Sequence, residues 1–296
     1  MCKPCFFKLT SNMVLFENQD MLYITILAAC LDQERAYGGN VKNRDHIFAG
    51  LICRQLQGCS GFVTKTCGSA MDLAWDLHRA GRFPEYAWVL AQNQTRGRGR
   101  MGRQWVSVSG NLFAALRLPA AAGKLGTLVS MALALPLVQT LKDLGMPCLI
   151  KWPNDIMAGV CKVGGILIED KHQTMIAGIG MNLCAAPENS GTEAFFHIKA
   201  GCLQASGVDV EPYRLWDLCL IHILQQFPAL VSDPALVVKQ VDAHLAWKDQ
   251  TVVVENTGTN DGPARILGID PAGRLCIRTA EGISPISSGT IHPRMI

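Results

Sequence analysis

The sequence predicts an α+β fold in two parts: a mixed sheet covered by helices, followed by a small β-barrel. Three observations carry this. Helical patterns near residues 69–80, 125–144 and 212–247 alternate with apolar runs of strand length at 88–92, 111–118, 163–169 and 174–180. From Thr251 the style changes to short β runs separated by turns. The chain has 296 residues, 49% hydrophobic and 17% charged, which is ample for a core and suits one large domain or two. The expected division is an N-terminal extension at 1–61 packed on a main domain at 62–246, then a terminal barrel at 247–296.

Residues 1–60 carry the weakest pattern. Val14–Phe16 and Leu22–Leu27 read as strands, and Asp45–Leu56 reads as a helix with apolar Ile47, Phe48, Leu51, Ile52 and Leu56. The apolar run Met21–Leu31 is too short to span a bilayer and follows Glu17 and Asp20, unlike a signal peptide. Ser69 opens a helix, with Asp72 three residues on as in a capping box; Leu73 and Leu77 set its apolar face and Gly81 stops it. Trp88–Gln92 and Asn111–Leu118 read as strands. Leu125–Leu144 reads as a buried helix kinked near Pro136; its polar Thr127, Ser130, Gln139 and Thr140 argue against a membrane span. Val163–Glu169 and Thr174–Gly180 read as paired strands. Pro212 suits a first helical position, and Pro234 starts a second helix to about Trp247. Then come Val252–Glu255, Ala264–Ile269, a turn at Asp270–Gly273, Leu275–Thr279 and Ile283–Ser287.

The net charge of +3 is mild, so charge as a whole does not argue for nucleic acid. Of twelve cysteines only Cys2 and Cys5 form a C-x-x-C pair, without histidines at zinc spacing. Several others, among them Cys30, Cys148, Cys219 and Cys276, sit in apolar surroundings, as free thiols of a reducing cytoplasm do.

Basic charge is concentrated in one loop. Residues 96–103 hold Arg96, Arg98, Arg100 and Arg103 with Gly97, Gly99 and Gly102, and no Asp or Glu occurs from Tyr86 to Lys142. Guanidinium forks fit phosphate and carboxylate, and nothing nearby in sequence neutralises them, so an external anion is the expected partner. Gly97-x-Gly99-x-x-Gly102 fails as a dinucleotide fingerprint, because a β-like segment follows it and the later acid is missing. A phosphate loop needs Gly-Lys followed by Ser or Thr, and there is none. The charge repulsion and the glycines predict a loop that is mobile until an anion binds.

Three segments then stand in order: Gln94 to Trp105; Lys151-Trp152-Pro153-Asn154-Asp155 with Lys162-Val163-Gly164-Gly165-Ile166-Leu167-Ile168-Glu169; and Ile179-Gly180-Met181-Asn182-Leu183. Together they closely resemble the biotin–protein ligases over about residues 62–296. The resemblance implies a class II synthetase-like biotin/lipoate ligase catalytic domain at 62–246 and an SH3-like barrel after it. It implies that ATP activates biotin to biotinyl-5′-adenylate, and that a lysine of a biotin carboxyl carrier domain then takes the biotinyl group. By the same resemblance biotin is bound by Ser69, Ala70, Met71, Gln94, Arg98, Gly99, Arg100, Lys162 and Gly165. ATP is bound by Arg98, Arg100, Arg103, Trp105, Asn154, Asp155 and Asn182, and Arg100, Lys162 and Asp155 carry catalysis. Magnesium would share the load on the phosphates, with no protein ligand for a metal identified.

This chain departs from the family at Ala70 and Met71, where a hydroxyl and an amide are usual, and at Met101, where many members have arginine. Lipoate–protein ligases share the fold but lack the arginine loop. A biotin-sensing repressor needs a DNA-binding region, and residues 1–60 show no helix-turn-helix pair, so no specific DNA partner is expected. A degenerate ligase kept as a scaffold is the remaining reading. No membrane association is expected, and a homodimer is left open.

Overall fold

A computed structural model describes residues 17–18, 21–22, 50–187, 198–258 and 261–293. Most of the N-terminal expectations, including Val14–Phe16 and the thiols of Cys2, Cys5 and Cys30, lie outside these residues. Glu17–Asn18 (β1) pairs antiparallel with Met21–Leu22 (β2).

The main sheet has eight strands: Ile52–Leu56 (β3), Cys59–Cys67 (β4), Trp88–Gln94 (β5), Leu112–Arg117 (β6), Leu149–Lys151 (β7), Asp155–Ala158 (β8), Cys161–Lys171 (β9) and Thr174–Met181 (β10). Their order is β3-β4-β5-β6-β10-β9-β8-β7. Only β4 and β5 run parallel, and the crossover between them is the helix Ala70–Arg79 (α1). This α1 covers one face through Leu73, Trp75 and Leu77 against Phe62, Val89 and Phe113. The other face is covered by Val129–Asp143 (α2), Pro212–Ser232 (α3) and Pro234–Ala243 (α4).

The helix expected over Asp45–Leu56 is corrected in its described part, which is strand β3. Gln57 and Gly58 both take positive φ, 51° and 77°, the backbone of a tight hairpin turn. The chain therefore folds back, pairing Leu56 with Cys59 and Ile52 with Val63. The boundary expected between 61 and 62 falls inside β4.

The expected kink at Pro136 moves to Gly126. A 3₁₀ segment, Ala120–Leu128, breaks where Gly126 takes φ 52° and ψ −123°, and α2 continues through Pro136 as one helix. Ala120–Asp143 and Pro212–Ser232 are long and apolar enough to cross a membrane by length and composition, but much of each is buried against the sheet. The end of α4 at Ala243 falls short of the expected Trp247. The backbone beyond it is committed to the sheet, with the Ile150 N–H donating to His244 and the Ala246 N–H to Ile150.

The terminal sheet comprises Thr251–Glu255 (β11), Gly262–Ile269 (β12), Leu275–Thr279 (β13), Gly282–Ile286 (β14) and Thr290–Pro293 (β15), in the order β14-β13-β12-β11-β15. The sequence reading missed β15, whose four residues pair with β11. The Asp270–Gly273 turn docks on the main domain: the Trp152 indole donates to the Gly273 carbonyl at 2.9 Å, and the Thr127 hydroxyl donates to Ala272. Cys148 and Cys219 are buried free thiols, and burial pushes both up to about 12, so they stay protonated and inert.

Candidate active site

The glycines of β9 and β10 create the site. Gly165 pairs with Gly180, and Leu167 with Gly178, so the sheet face between these strands is nearly bare. Two side chains lie across it. The Trp105 ring rests on Gly180, where an added Cβ would meet it at 2.6 Å, and Met71 rests on Gly178, where one would meet its Cγ at 2.8 Å. Above this floor is a cavity of about 610 Å³, within the range of small-molecule sites. Fourteen residues singled out from the sequence border it: Ser69, Ala70, Met71, Gln94, Arg98, Gly99, Arg100, Arg103, Trp105, Asn154, Asp155, Lys162, Gly165 and Asn182. Asn256, Ser288 and Gly289 in loops of the terminal part, and Thr290 at the start of β15, also reach its rim.

Asp155 organises the charged end. It opens β8 between Lys151 on β7 and Gly165 on β9 in register. Its carboxylate takes the Lys162 ammonium at 2.7 Å and the Lys151 ammonium at 3.1 Å. Burial raises the Asp155 pKa, but the two ammonium groups outweigh it and hold the carboxyl below its usual range. Asp155 is thus a fixed anion and a weak base. Lys162 also lies 5.5 Å from the Trp105 ring centre, within cation–π reach. Sequence reasoning missed Lys151 as a site residue; its signal was the first position of the Lys-Trp-Pro-Asn-Asp run, four residues before Asp155.

At the other end, Ser69 caps α1 by accepting from the Met71 N–H at 3.2 Å. The reciprocal half of the expected capping box is absent. Gln94 supplies the second cap, its side-chain oxygen accepting from the Ala70 N–H at 2.8 Å, and its amide N–H reaches the Ser107 hydroxyl at 3.2 Å. Asp72 turns instead to Arg98.

That contact supplies from distant elements a counter-charge that the loop lacks nearby in sequence. Arg98 pairs with Asp72 and, at 2.8 Å, with Glu169, acids 26 and 71 residues away in sequence and brought together by the sheet. Glu169 also accepts from the Trp75 indole at 2.7 Å and pairs with Lys171 at 3.0 Å. Burial raises the Glu169 pKa, but the Lys171, Trp75 and Arg98 contacts lower it further, so it remains a carboxylate. The loop closes on itself, with Gly99 N–H donating to Arg103 and Trp105 N–H to Gly97. Arg100 reaches the Asn154 side-chain oxygen at 3.0 Å, and Asn154 in turn donates to the Ile166 carbonyl. Arg96 lies against Gly68, away from the cavity. Asn182 donates to Gly201, which ties the end of β10 to the segment after it.

The biotin/lipoate A/B protein ligase family matches residues 63–183, and the biotin protein ligase C-terminal domain matches residues 250–292. The biotin–[acetyl-CoA-carboxylase] ligase of Paracoccus denitrificans is 30% identical over 217 residues, covering 69% of this chain and 89% of that one. The bifunctional ligase/repressor BirA of Bacillus subtilis is 31% identical over 218 residues, covering 71% of this chain and 66% of its own. In fold, the Aquifex aeolicus biotin protein ligase superposes with a TM-score of 0.65 at 22% identity, covering 78% of this chain and 97% of that one. With a relative 30% identical over most of its own length and both family regions matched in order, the chain belongs to the biotin–protein ligase family.

Proposed function

We propose that the chain activates biotin with ATP to biotinyl-5′-adenylate, releasing pyrophosphate, and passes the biotinyl group to a lysine of a biotin carboxyl carrier domain. The observation that carries this is the polarity of the cavity, with ammonium groups at one end of a bare glycine floor and, at the other, Met71 beside the Ser69 hydroxyl and the Gln94 amide. Such a cavity suits an amphipathic carboxylic acid whose carboxylate faces Lys162. The Aquifex aeolicus enzyme of the same fold has been solved with biotin and ATP. The biotin carboxylate and the α-phosphate repel each other, and Lys162, Arg100 and Arg103 around the cavity offset that repulsion as they meet. Asp155 holds Lys162 in position and, being a weak base, is not the group that deprotonates the acceptor lysine.

Among the described residues Asp155 is the only carboxylate bordering the cavity, and two ammonium groups already hold it. Among the described residues no group of three or more His, Cys, Asp or Glu side chains gathers as a metal site. A protein-held magnesium ion does not fit there; in this reading magnesium arrives on the nucleotide phosphates. We place the protein in the cytoplasm, with no DNA partner, and assign catalysis to the main domain with the terminal sheet closing its rim. The test is biotin-dependent exchange of pyrophosphate into ATP by the purified chain. Exchange that does not require biotin, or none at all, would refute the reading.

The loop gives a second expectation. Its residues from Arg100 to Gln104 are exposed, while Arg98, nearer the sheet, is held by two acids. Trypsin should therefore cut after Arg100 and Arg103 in the free protein, and biotin with ATP should slow that cleavage at least about tenfold by ordering the loop over the reacting groups. Equal cleavage rates in both states would show that the loop is preformed.

A further inference from the structure

The arginine loop is a short hairpin with a stapled base. The Arg96 N–H donates to the Gly68 carbonyl at 2.7 Å, the Trp105 N–H to Gly97 at 3.0 Å, and Arg98 pairs antiparallel with Gln104. The tip turns through Met101 and Gly102, both left-handed at φ 55° and 73°. Arg98 stands where base meets tip, and two elements that also carry the site share its guanidinium. Asp72 lies in the first turn of α1, just after Ser69, Ala70 and Met71, and Glu169 lies on β9, the strand of Lys162 and Gly165.

A guanidinium fork fits two acceptors at once, and Arg98 gives one nitrogen to each acid. The Glu169 side chain is 19% exposed, and its second oxygen takes the Trp75 indole N–H at 2.7 Å and the Lys171 ammonium at 3.0 Å. Trp75 is buried, and the Lys171 ammonium lies 4.5 Å from its ring centre. Glu169 is thus held from behind before it meets Arg98, unlike an exposed pair whose ordering cancels most of its gain. Arg98 and Lys171 stand against two carboxylates, so the four charges balance. A phosphate brought to Arg98 would also stand beside Asp72 and Glu169 and be repelled by them. Arg100 differs: it meets the neutral Asn154 amide, which leaves its charge available.

We propose that Arg98, Asp72 and Glu169, with Trp75 as the positioning residue behind them, form a clasp that fixes the base of the loop on α1 and β9, and that the Arg98 guanidinium serves this clasp and not the nucleotide phosphates. The part of the loop that closes on substrate is then its tip, from Arg100 onward. The exclusion of phosphate rests on the ligase reading above, whereas the clasp stands without it.

Trypsin must take the arginine side chain into its own pocket, so a clasped Arg98 is cut only when the clasp opens. In the free full chain the initial rate of cleavage after Arg98 should be at least about tenfold below that after Arg100. Asp72→Asn with Glu169→Gln should raise cleavage after Arg98 at least about tenfold and leave that after Arg100 within about threefold. Trp75→Phe, which takes the indole N–H from Glu169, should raise it about threefold; unchanged cleavage there would remove Trp75 from the clasp. Equal wild-type rates after Arg98 and Arg100 would overturn the clasp. So would a rise at both sites together in the acid variant, which marks general loosening. The phosphate arm is a mutant cycle on kcat/KM for ATP in biotin-dependent pyrophosphate exchange. Arg98→Ala should lower it in the wild type, but by no more than about twofold once Asp72 and Glu169 are already Asn and Gln. A loss that stays at least about tenfold in that background would show that Arg98 binds the nucleotide, and would overturn the assignment. A wild type without exchange would refute the ligase reading, and cleavage would still decide the clasp.

Discussion

Replacing Lys162 with alanine is expected to slow adenylate formation by about 10²-fold or more, as loss of a preorganised charge does. Lys162 is half-buried, its ammonium 2.7 Å from Asp155, and it borders the cavity beside Gly165. Asp155 fixes its position and the Trp105 ring covers one side, so little rearrangement is needed when substrate arrives. Each charge-assisted hydrogen bond is worth about 1.5–3 kcal/mol, and in the proposed reaction Lys162 would make more than one, to the carboxylate and to the α-phosphate. Single-turnover adenylation in rapid-quench flow measures the step directly. The loss should appear in kcat, because the attraction grows as charge develops on the α-phosphate. Arginine at 162 keeps the charge but is planar and longer, so it should restore only part of the rate. A near-normal single-turnover rate in Lys162→Ala would remove this residue from the mechanism.

Much of this site was legible in sequence, because the chemistry concentrates unusual residues. Four arginines among glycines and a lysine ahead of Gly164-Gly165 are rare enough to single out. The glycine pair Gly165 and Gly180, which provides the floor, was visible as two motif positions, but their pairing was not. Long-range partners were the blind spot. Asp72, Glu169 and Lys151 neutralise or fix the site's charges from other elements, and only the sheet register brings them together. The same limit applies to Arg98, whose sequence neighbours are all uncharged or basic while its spatial neighbours are acids. In the fold, long periodic elements were readable, and errors fell where short-range pattern is ambiguous. Ile52 and Leu56 sit four apart as in a helix, yet the Gln57-Gly58 turn makes them a strand. Residues 288–290 on the cavity rim carry no chemical signature that points to the site.

Asp155→Ala should cost about 3–5 kcal/mol of stability, because it leaves buried positive charge without its counter-charge. The Lys151 side chain is only 10% exposed and the Asp155 side chain 13%, so water does little to replace the pairing. Asp155→Asn keeps an acceptor of the same shape and should cost less, but it removes the anion between two ammonium groups. The pH dependence separates charge from shape. The folded pKa of Asp155 is held down, chiefly by Lys162 and Lys151 acting against burial, and the unfolded carboxyl titrates near its usual value, about 4. Its contribution is therefore complete above about pH 5 and is lost as the pH falls through the unfolded and then the folded pKa. Denaturant unfolding of wild type and Asp155→Asn at pH 7 and at pH 3.5 should show a wide gap in stability at the higher pH and a narrower one at the lower. A gap that stays constant between the two would mean that hydrogen bonding or packing holds this end of the site. In that case Lys162 would be placed by Trp105 and the glycine floor, and the activity of Asp155→Asn should approach that of wild type.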